Sequence, residues 1–450
     1  MEHLNNDDLF KIYKEEEPPR FNKLLYTTLF LVNLTAFSMG ASLAWSSPAT
    51  SKLNITTSMS PKQEAGVVSL LFFGAIFGTS LSKFFMIKLG RKGALLLSGI
   101  PNIIGFLCLT AGHNFVIIYI GRFFNGFAVG IILSVSPVYL HEMSDVAHRK
   151  LLNATITIST NLGCLFVYVL SLFFKLKLLS IINVIFPLAF VVIFGIMSPD
   201  TPHYYISRGR IHEAWDSLKA LRAGGDESIN NELVLIQKEV VESFSNVNKF
   251  FDFIRNERFR KKLWVALGLI LCNQLIGVTT IFCYMESIFE GFKPQLSPSV
   301  CVIIMGVVQL LGSIFGLFVI PKCHKRLLLL VSAFHLSFTL IAITTYLCLK
   351  QYEREAILYK MFPIISVSYL VWIYSSLFTP CVSVITKEIF PSYANSVAIR
   401  VEAVFTLIST IFVTTYFPFL RNFGIGYPFI VFSVFSTLSI LFIYLLVPKY

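Results

Sequence analysis

The sequence predicts an all-α membrane protein, with twelve spanning helices in two halves of six joined by a polar helical linker. Three observations predict it. Of 450 residues, 55% are hydrophobic, 44 are Phe and only 14% are charged, and mean hydropathy is +0.72. A soluble chain of this length needs far more charge to cover its surface. The apolar residues fall in runs of about 18–25, the length that crosses a ~30 Å hydrocarbon core as a helix. Lys and Arg, finally, gather in the connections that share one face.

Taken in order, the predicted spans begin at Leu24, Ala65, Gly93, Phe115, Leu151 and Lys177 in a first half, residues 24–197. In a second half, 263–450, they begin at Leu263, Val300, Arg326, Ala356, Val397 and Gly424. Residues 198–262 carry both charge signs and helix formers such as EAWDSLKALR, and read as a helical linker. The polar residues 1–23 precede the first span. No small-residue cleavage site follows the first apolar run, so that run is expected to stay as an anchor. KLGRK (88–92), HRK (148–150), the linker, PKCHKR (321–326) and TKE (386–388) lie on one face together with both termini. That face is expected to be cytoplasmic, in a cell (plasma) membrane. The other face carries SKLNITTSMS (51–60), where Asn54-Ile-Thr56 is expected to be an external glycosylation acceptor.

Several function classes are excluded. The net charge of +12 follows the membrane loops, so nucleic acid is not an expected partner. Eight cysteines, mostly inside spans and without paired spacing, predict neither a disulfide framework nor a metal site. There is no phosphate-cradling Gly-rich loop and no catalytic triad, so neither an enzyme nor a cofactor is expected. The expected partners are the lipid bilayer and a small solute, with no obligate protein partner. A weak internal repeat supports this: LGRK (89–92) is echoed by CHKRL (323–327), and PVYLHE (137–142) by TKEIFP (386–391). Two six-span halves with matching elements are the plan of an alternating-access transporter, with its substrate near the midplane. Glycines 74, 78, 121, 126 and 130 read as close helix packing, and Arg400 and Glu402 as snorkelling side chains at a span end.

LGLILCNQLIGVTTIFCYMES (267–287) is apolar enough for lipid, yet sets Asn273 beside Gln274. An unpartnered amide in hydrocarbon costs several kcal/mol. Two readings stand: the amides join helices, at about 0.6 kcal/mol per bond, or they line a wet cavity, where a neutral amide offers both donor and acceptor to a polyol.

GRFFNGFAVG, PVYLHE and HRKLLNATITISTNLG (within 121–163) resemble the fourth and fifth spans of the sugar porter family of the major facilitator superfamily. Its Pro-x-Tyr-x-x-Glu signature falls at Pro137, Tyr139 and Glu142. SPDTPHYYISRGRIHEAWDSLKALRA (198–223) is similar to the family's Pro-Glu-Ser-Pro-Arg element, and CNQLIGVTTIFCY (272–284) to its Gln-Gln-x-x-Gly-x-Asn motif. The similarity covers nearly the whole chain. GASLAWSSPAT (40–50) and Thr157 look most like the insect facilitated trehalose transporter-like branch.

The resemblance implies a major facilitator fold and facilitated transport of a hexose or a disaccharide such as trehalose. It implies sugar contacts at Gln274, Asn273, Thr279, Thr157, Tyr284 and Thr406. Pro380 in the tenth span reads either as a gating hinge or as one of the kinks that prolines make in many membrane helices. The resemblance also implies a cytoplasmic gating network of Arg91, Glu142, Arg149, Asp200, Lys325, Arg326 and Glu388. The departures bear on both. Thr279 and Thr406 replace amides, and Ser383 and Leu407 replace tryptophans. In the gate, Pro321 stands for an acid, His324 for a Gly and Asn395 for an Arg. The related proton symporters carry an Asp in the first span, where this chain has Ala41 or Ser42, so transport is expected to be uncoupled. A second reading comes from the eroded contacts: a transporter-like sugar sensor, or a carrier with altered or lost flux. A long cytoplasmic tail would favour the sensor; the chain ends at Val447-Pro448-Lys449-Tyr450, and no such tail is expected.

Overall fold

The computed structural model describes residues 23–144, 149–222, 226–245, 257–349, 357–390 and 392–447. Nearly all of them are helical. In lipid a backbone must satisfy its own polar groups, and apolar runs of this length do so as helices. The first six crossings are built from α1 (Lys23–Ala44), α2 (Ser46–Thr57), α3 (Pro61–Ala111), α4 (Phe115–Met143), α5 (Arg149–Phe173) and α6 (Leu176–Met197). The linker holds α7 (Pro202–Ser207), α8 (Ile211–Leu221) and α9 (Asp226–Ser245). The last six crossings use α10 (Glu257–Leu275), α11 (Val278–Phe292), α12 (Pro298–Val319), α13 (Lys325–Leu349), α14 (Ile357–Ile373), α15 (Thr379–Ile389), α16 (Ser392–Asn422) and α17 (Gly426–Leu446).

Eleven continuous helical stretches are long and apolar enough to cross a membrane, and one of them crosses twice. At 51 residues, α3 would be ~76 Å long if straight, far more than one ~30 Å core needs. It turns at Gly90, whose φ of +80° is left-handed. A Cβ there would lie 2.0 Å from Asp200 Oδ2, so only glycine fits. The expected second and third spans are the two limbs of α3.

Two faces follow from this path. The turns at 58–60, 112–114 and 293–297 share one face with Asn54; Gly90, the linker and 320–324 share the other, basic face. Against expectation, SKLNITTSMS is not simply a loop: α2 continues to Thr57, and Ser58 closes it at φ +47°. The α3–α4 contact is glycine-lined, since a Cβ on Gly74 or Gly78 would meet the Phe123 or Phe127 carbonyl at 2.1 Å. Such close approach replaces the hydrophobic effect as the force between helices in lipid. Phe77, Phe84, Phe334, Phe338 and Phe412 are exposed, as a surface solvated by acyl chains allows.

The linker has its own small core of Ala214, Leu218, Ile229 and Leu233. Ser217 closes it on itself by donating to the Asp200 carbonyl (3.0 Å), and Arg222 holds it to the first six spans by donating to the Met143 carbonyl (2.9 Å). One continuous core runs from Met39 to Val447 through both sets of spans. Between described residues, four hydrogen-bonded contacts join the sets: Ser51–Glu290, Ser47–Glu286, Glu64–Arg421 and Asn161–Gln309. All lie in the middle of the molecule or toward the face of Asn54.

Candidate functional site

The seventh span is broken where the amides sit. α10 stops at Leu275 and α11 starts at Val278, with Gly277 between them at φ +80°. A Cβ on Gly277 would lie 2.5 Å from the Phe432 ring, so glycine is required and the helix must break. Asn273 and Gln274 therefore occupy the last turn of a half-helix, 8% and 5% exposed. Discontinuous helices of this kind build binding sites at membrane depth.

Around this break the structure gathers polar side chains from three spans. The Thr410 hydroxyl lies 3.1 Å from Gln274 Oε1. The Tyr374 hydroxyl lies 3.2 Å from Thr279 Oγ1. Thr379 Oγ1 is also near Asn273 Oδ1, at the 3.5 Å margin of a bond. None of these groups is ionised. Neutral donors and acceptors in this density match a solute rich in hydroxyls and bind no ion as its price.

Tyr374 opens the π-helical turn Tyr374–Phe378 that precedes Pro380. Proline has no N–H and cannot continue the α-helical ladder, and the wider turn absorbs the break. The π-turn therefore lies just before the expected hinge residue Pro380, and Tyr374 is its first residue. Across the seam, α5 places Asn161 3.1 Å from Gln309 of α12, amide to amide. Thr157 lies one turn from Asn161 on the same side of α5 and is exposed.

Two expected contacts are placed elsewhere. Tyr284 is corrected: it is fully buried, donates to the Thr414 carbonyl at 3.0 Å, and stacks on Phe417. Its hydroxyl is consumed by the fold. Thr406 is half-buried and donates to the Glu402 carbonyl one turn back in its own helix, so Thr410 is the α16 residue that meets Gln274. Glu402 does not snorkel either. It is buried beside Thr386 and Lys387, with Oε1 unpartnered.

The gating residues divide into two separate groups. Arg91 binds Glu142 through Nε and Nη2 at 3.1 and 2.9 Å, and Thr201 donates to the other Glu142 oxygen at 2.5 Å. Asp200 accepts from the backbone N–H groups of Thr201, Arg91 and Lys92. Burial pushes its carboxyl above the ordinary range, and these bonds with the Arg91 charge pull it back. In the last six spans Lys325 pairs with Glu388, while Arg326 donates to the Tyr444 carbonyl at 2.8 Å. α5 begins at Arg149, but its side chain lies outside the described set. Among described residues, no ion pair on the basic face links the two groups.

Sequence reasoning missed Tyr374, Thr410, Asn161 and Gln309. The signal for Thr410 was present: Thr406, Thr410 and Thr414 recur every four residues, one polar face on an apolar helix. It also missed Arg122, which is fully buried. Its Nε donates to the Val67 carbonyl, Nη1 to the Ser42 carbonyl and Nη2 to Ser46 Oγ, and its guanidinium lies 5.4 Å from the Trp45 ring centroid. These partners include no acid.

Twelve apolar crossings around a polar seam, with a broken helix at that seam, define a multi-pass membrane transporter of the major facilitator fold. Residues 27–450 match the family model described as "Sugar (and other) transporter", and the chain belongs to that family, one of transporters and not of enzymes. It is 27% identical to the facilitated trehalose transporter Tret1 of Bombyx mori over 86% of this chain and 76% of the relative. It is 26% identical to sugar transporter ERD6-like 6 of Arabidopsis thaliana over 94% and 87%. Among solved structures, the inward-open xylose transporter XylE from E. coli superposes with a TM-score of 0.79 at 16% identity, covering 95% of this chain and 97% of that one. XylE bound to 6-bromo-6-deoxy-D-glucose gives 0.76 at 17%, covering 95% and 97%.

Proposed function

We propose that the protein is a facilitative, uncoupled carrier of a neutral sugar, a hexose or a disaccharide such as trehalose. It works by alternating access in the plasma membrane, with the basic face and both termini cytoplasmic. The two sets of six spans move as units (24–197 and 263–450) around a site near the midplane, and the linker 198–262 ties them together. One observation carries the reading: the break at Gly277 that presents Asn273 and Gln274 to Tyr374, Thr279 and Thr410. Thr157 faces the same cavity from the opposite half, and the basic-face charges form the inner gate.

The uncoupled reading rests on the first span. Related proton symporters carry an Asp there, and a coupled proton needs a titratable group reached alternately from both sides. Residues 24–45 hold no acid, with Ala41 or Ser42 at the corresponding place. The name of the Bombyx mori relative supports trehalose as a candidate substrate. A second reading, a sensor or a carrier of altered substrate, is favoured by Ser383 and Leu407, which leave the site without the tryptophans of the related family. Sugar uptake in oocytes, against a mock-injected control, separates the two. The proposal expects saturable flux; surface protein that binds sugar without flux supports the second reading and overturns the first.

A further inference from the structure

The only ion pair that joins the two halves between described residues lies on the face opposite the inner gate. Arg421 Nη2 binds Glu64 Oε2 at 2.6 Å, with side chains 18% and 3% exposed. Nη1 of the same guanidinium donates to Ser287 at the start of the outer part of α11. Local structure places both charges where they are favoured. Glu64 is in the first turn of α3, fixed by a capping box between Ser60 and Gln63; Arg421 is in the last turn of α16. A carboxylate at a helix N-terminus and a cation at a C-terminus each complement the macrodipole. Beside them α2 docks on α11: Ser47 Oγ accepts from the Glu286 N–H at 3.0 Å, and Ser51 donates to Glu290.

We propose that Glu64 and Arg421 form the outer latch of the transport cycle, closed in this structure and broken each time the cavity opens to the face of Asn54. The inference rests on the alternating-access reading. One detail favours a latch over a permanent staple. Glu64 Oε1 is buried without a partner, whereas a permanent buried pair satisfies its remaining lone pairs.

The test uses the full chain with Leu165→Cys as a reporter. Leu165 lies on α5 against Gly306 of α12, at the seam between the halves. An impermeant thiol reagent is applied to intact cells and to inside-out vesicles, and the parent chain without the reporter gives the background from native cysteines. Glu64→Gln and Arg421→Gln are each expected to speed labelling from the outer face about tenfold. The exchange Glu64→Arg with Arg421→Glu is expected to return it to the slow rate, which a merely misfolded single variant does not predict. Unchanged labelling in single variants at normal surface density overturns the latch, as does fast labelling of the exchanged pair. Sugar flux is read in parallel. A chain that labels as expected but carries no sugar keeps the latch and refutes the substrate; one that carries sugar but labels at a constant rate does the reverse.

Discussion

Gln274 is the side chain in which sequence and geometry meet most directly. It sits on the last turn before the break, its oxygen already held by Thr410, so the amide is oriented before any solute arrives. Gln274→Leu keeps the bulk and removes both donor and acceptor. Sugar affinity is expected to fall by about 1–3 kcal/mol, roughly 5- to 150-fold, with expression intact because Leu fills the same buried volume. Competition binding on protein that reaches the surface checks this, and unchanged affinity removes Gln274 from the site. Tyr374→Phe tests the residue that reading alone did not find. It deletes the hydroxyl that meets Thr279 while keeping the ring, and about 1–2 kcal/mol, roughly 5- to 30-fold in affinity, is the expected loss. The adjacent amides were legible because amides are costly in lipid. Tyr374 was not, because one more aromatic in a chain with 44 Phe carries no local signal. Only the π-turn before Pro380 distinguishes it. Tyr284 shows the converse, a residue whose place in a motif suggested a ligand and whose hydroxyl packing had claimed.

At the scale of elements, Gly90 and Gly277, both at φ +80°, do different work. Gly90 lets α3 double back and seats Asp200 against the N–H groups of residues 91 and 92; Gly277 breaks the seventh span. For an Ala the left-handed conformation costs ~1–2 kcal/mol, and each position adds a collision, with Asp200 or with Phe432. Gly90→Ala is expected to undock the linker, seen as faster proteolysis within 198–262 and a lower melting temperature in detergent. Gly277→Ala is expected to lower affinity at near-normal linker protection. Equal proteolysis of Gly90→Ala and the unmodified chain refutes the first assignment. The turn at Gly90 could be read from LGRK, since glycine beside two basic residues between apolar runs marks a loop. The break at Gly277 could not, because hydropathy continues straight across it and only the approach of Phe432 forbids a side chain. The continuation of α2 to Thr57 was hidden for a similar reason: its residues are polar, and its docking on α11 is long-range.

At the scale of the whole molecule the question is which face the resting cavity opens to. Between described residues, the hydrogen bonds that join the halves lie centrally or toward the face of Asn54, and no ion pair links the two groups of the inner gate. The related family would bring an acid at Pro321 and an Arg at Asn395 into that gate. Here Pro321 is exposed on the turn beside the Lys325–Glu388 pair, and Asn395 lies in the first turn of α16. An exposed pair contributes ~0–1 kcal/mol and a partly buried one more. A bias of ~1–3 kcal/mol shifts a balanced two-state equilibrium by about 5- to 150-fold. The resting protein is therefore expected to face inward. Pro321→Asp with Asn395→Arg is expected to rebuild the inner lock and raise the outward-facing population, reported by an impermeant label on the outer cavity. The result belongs with the latch. If the double variant labels faster while Glu64 and Arg421 are intact, the inner gate alone sets the balance. If it labels faster only once the Glu64–Arg421 pair is also removed, the two gates are in series and the outer one dominates. Unchanged accessibility in every combination shows that apolar packing along the seam, such as Tyr168 and Leu165 against Gly306, holds the resting state by itself.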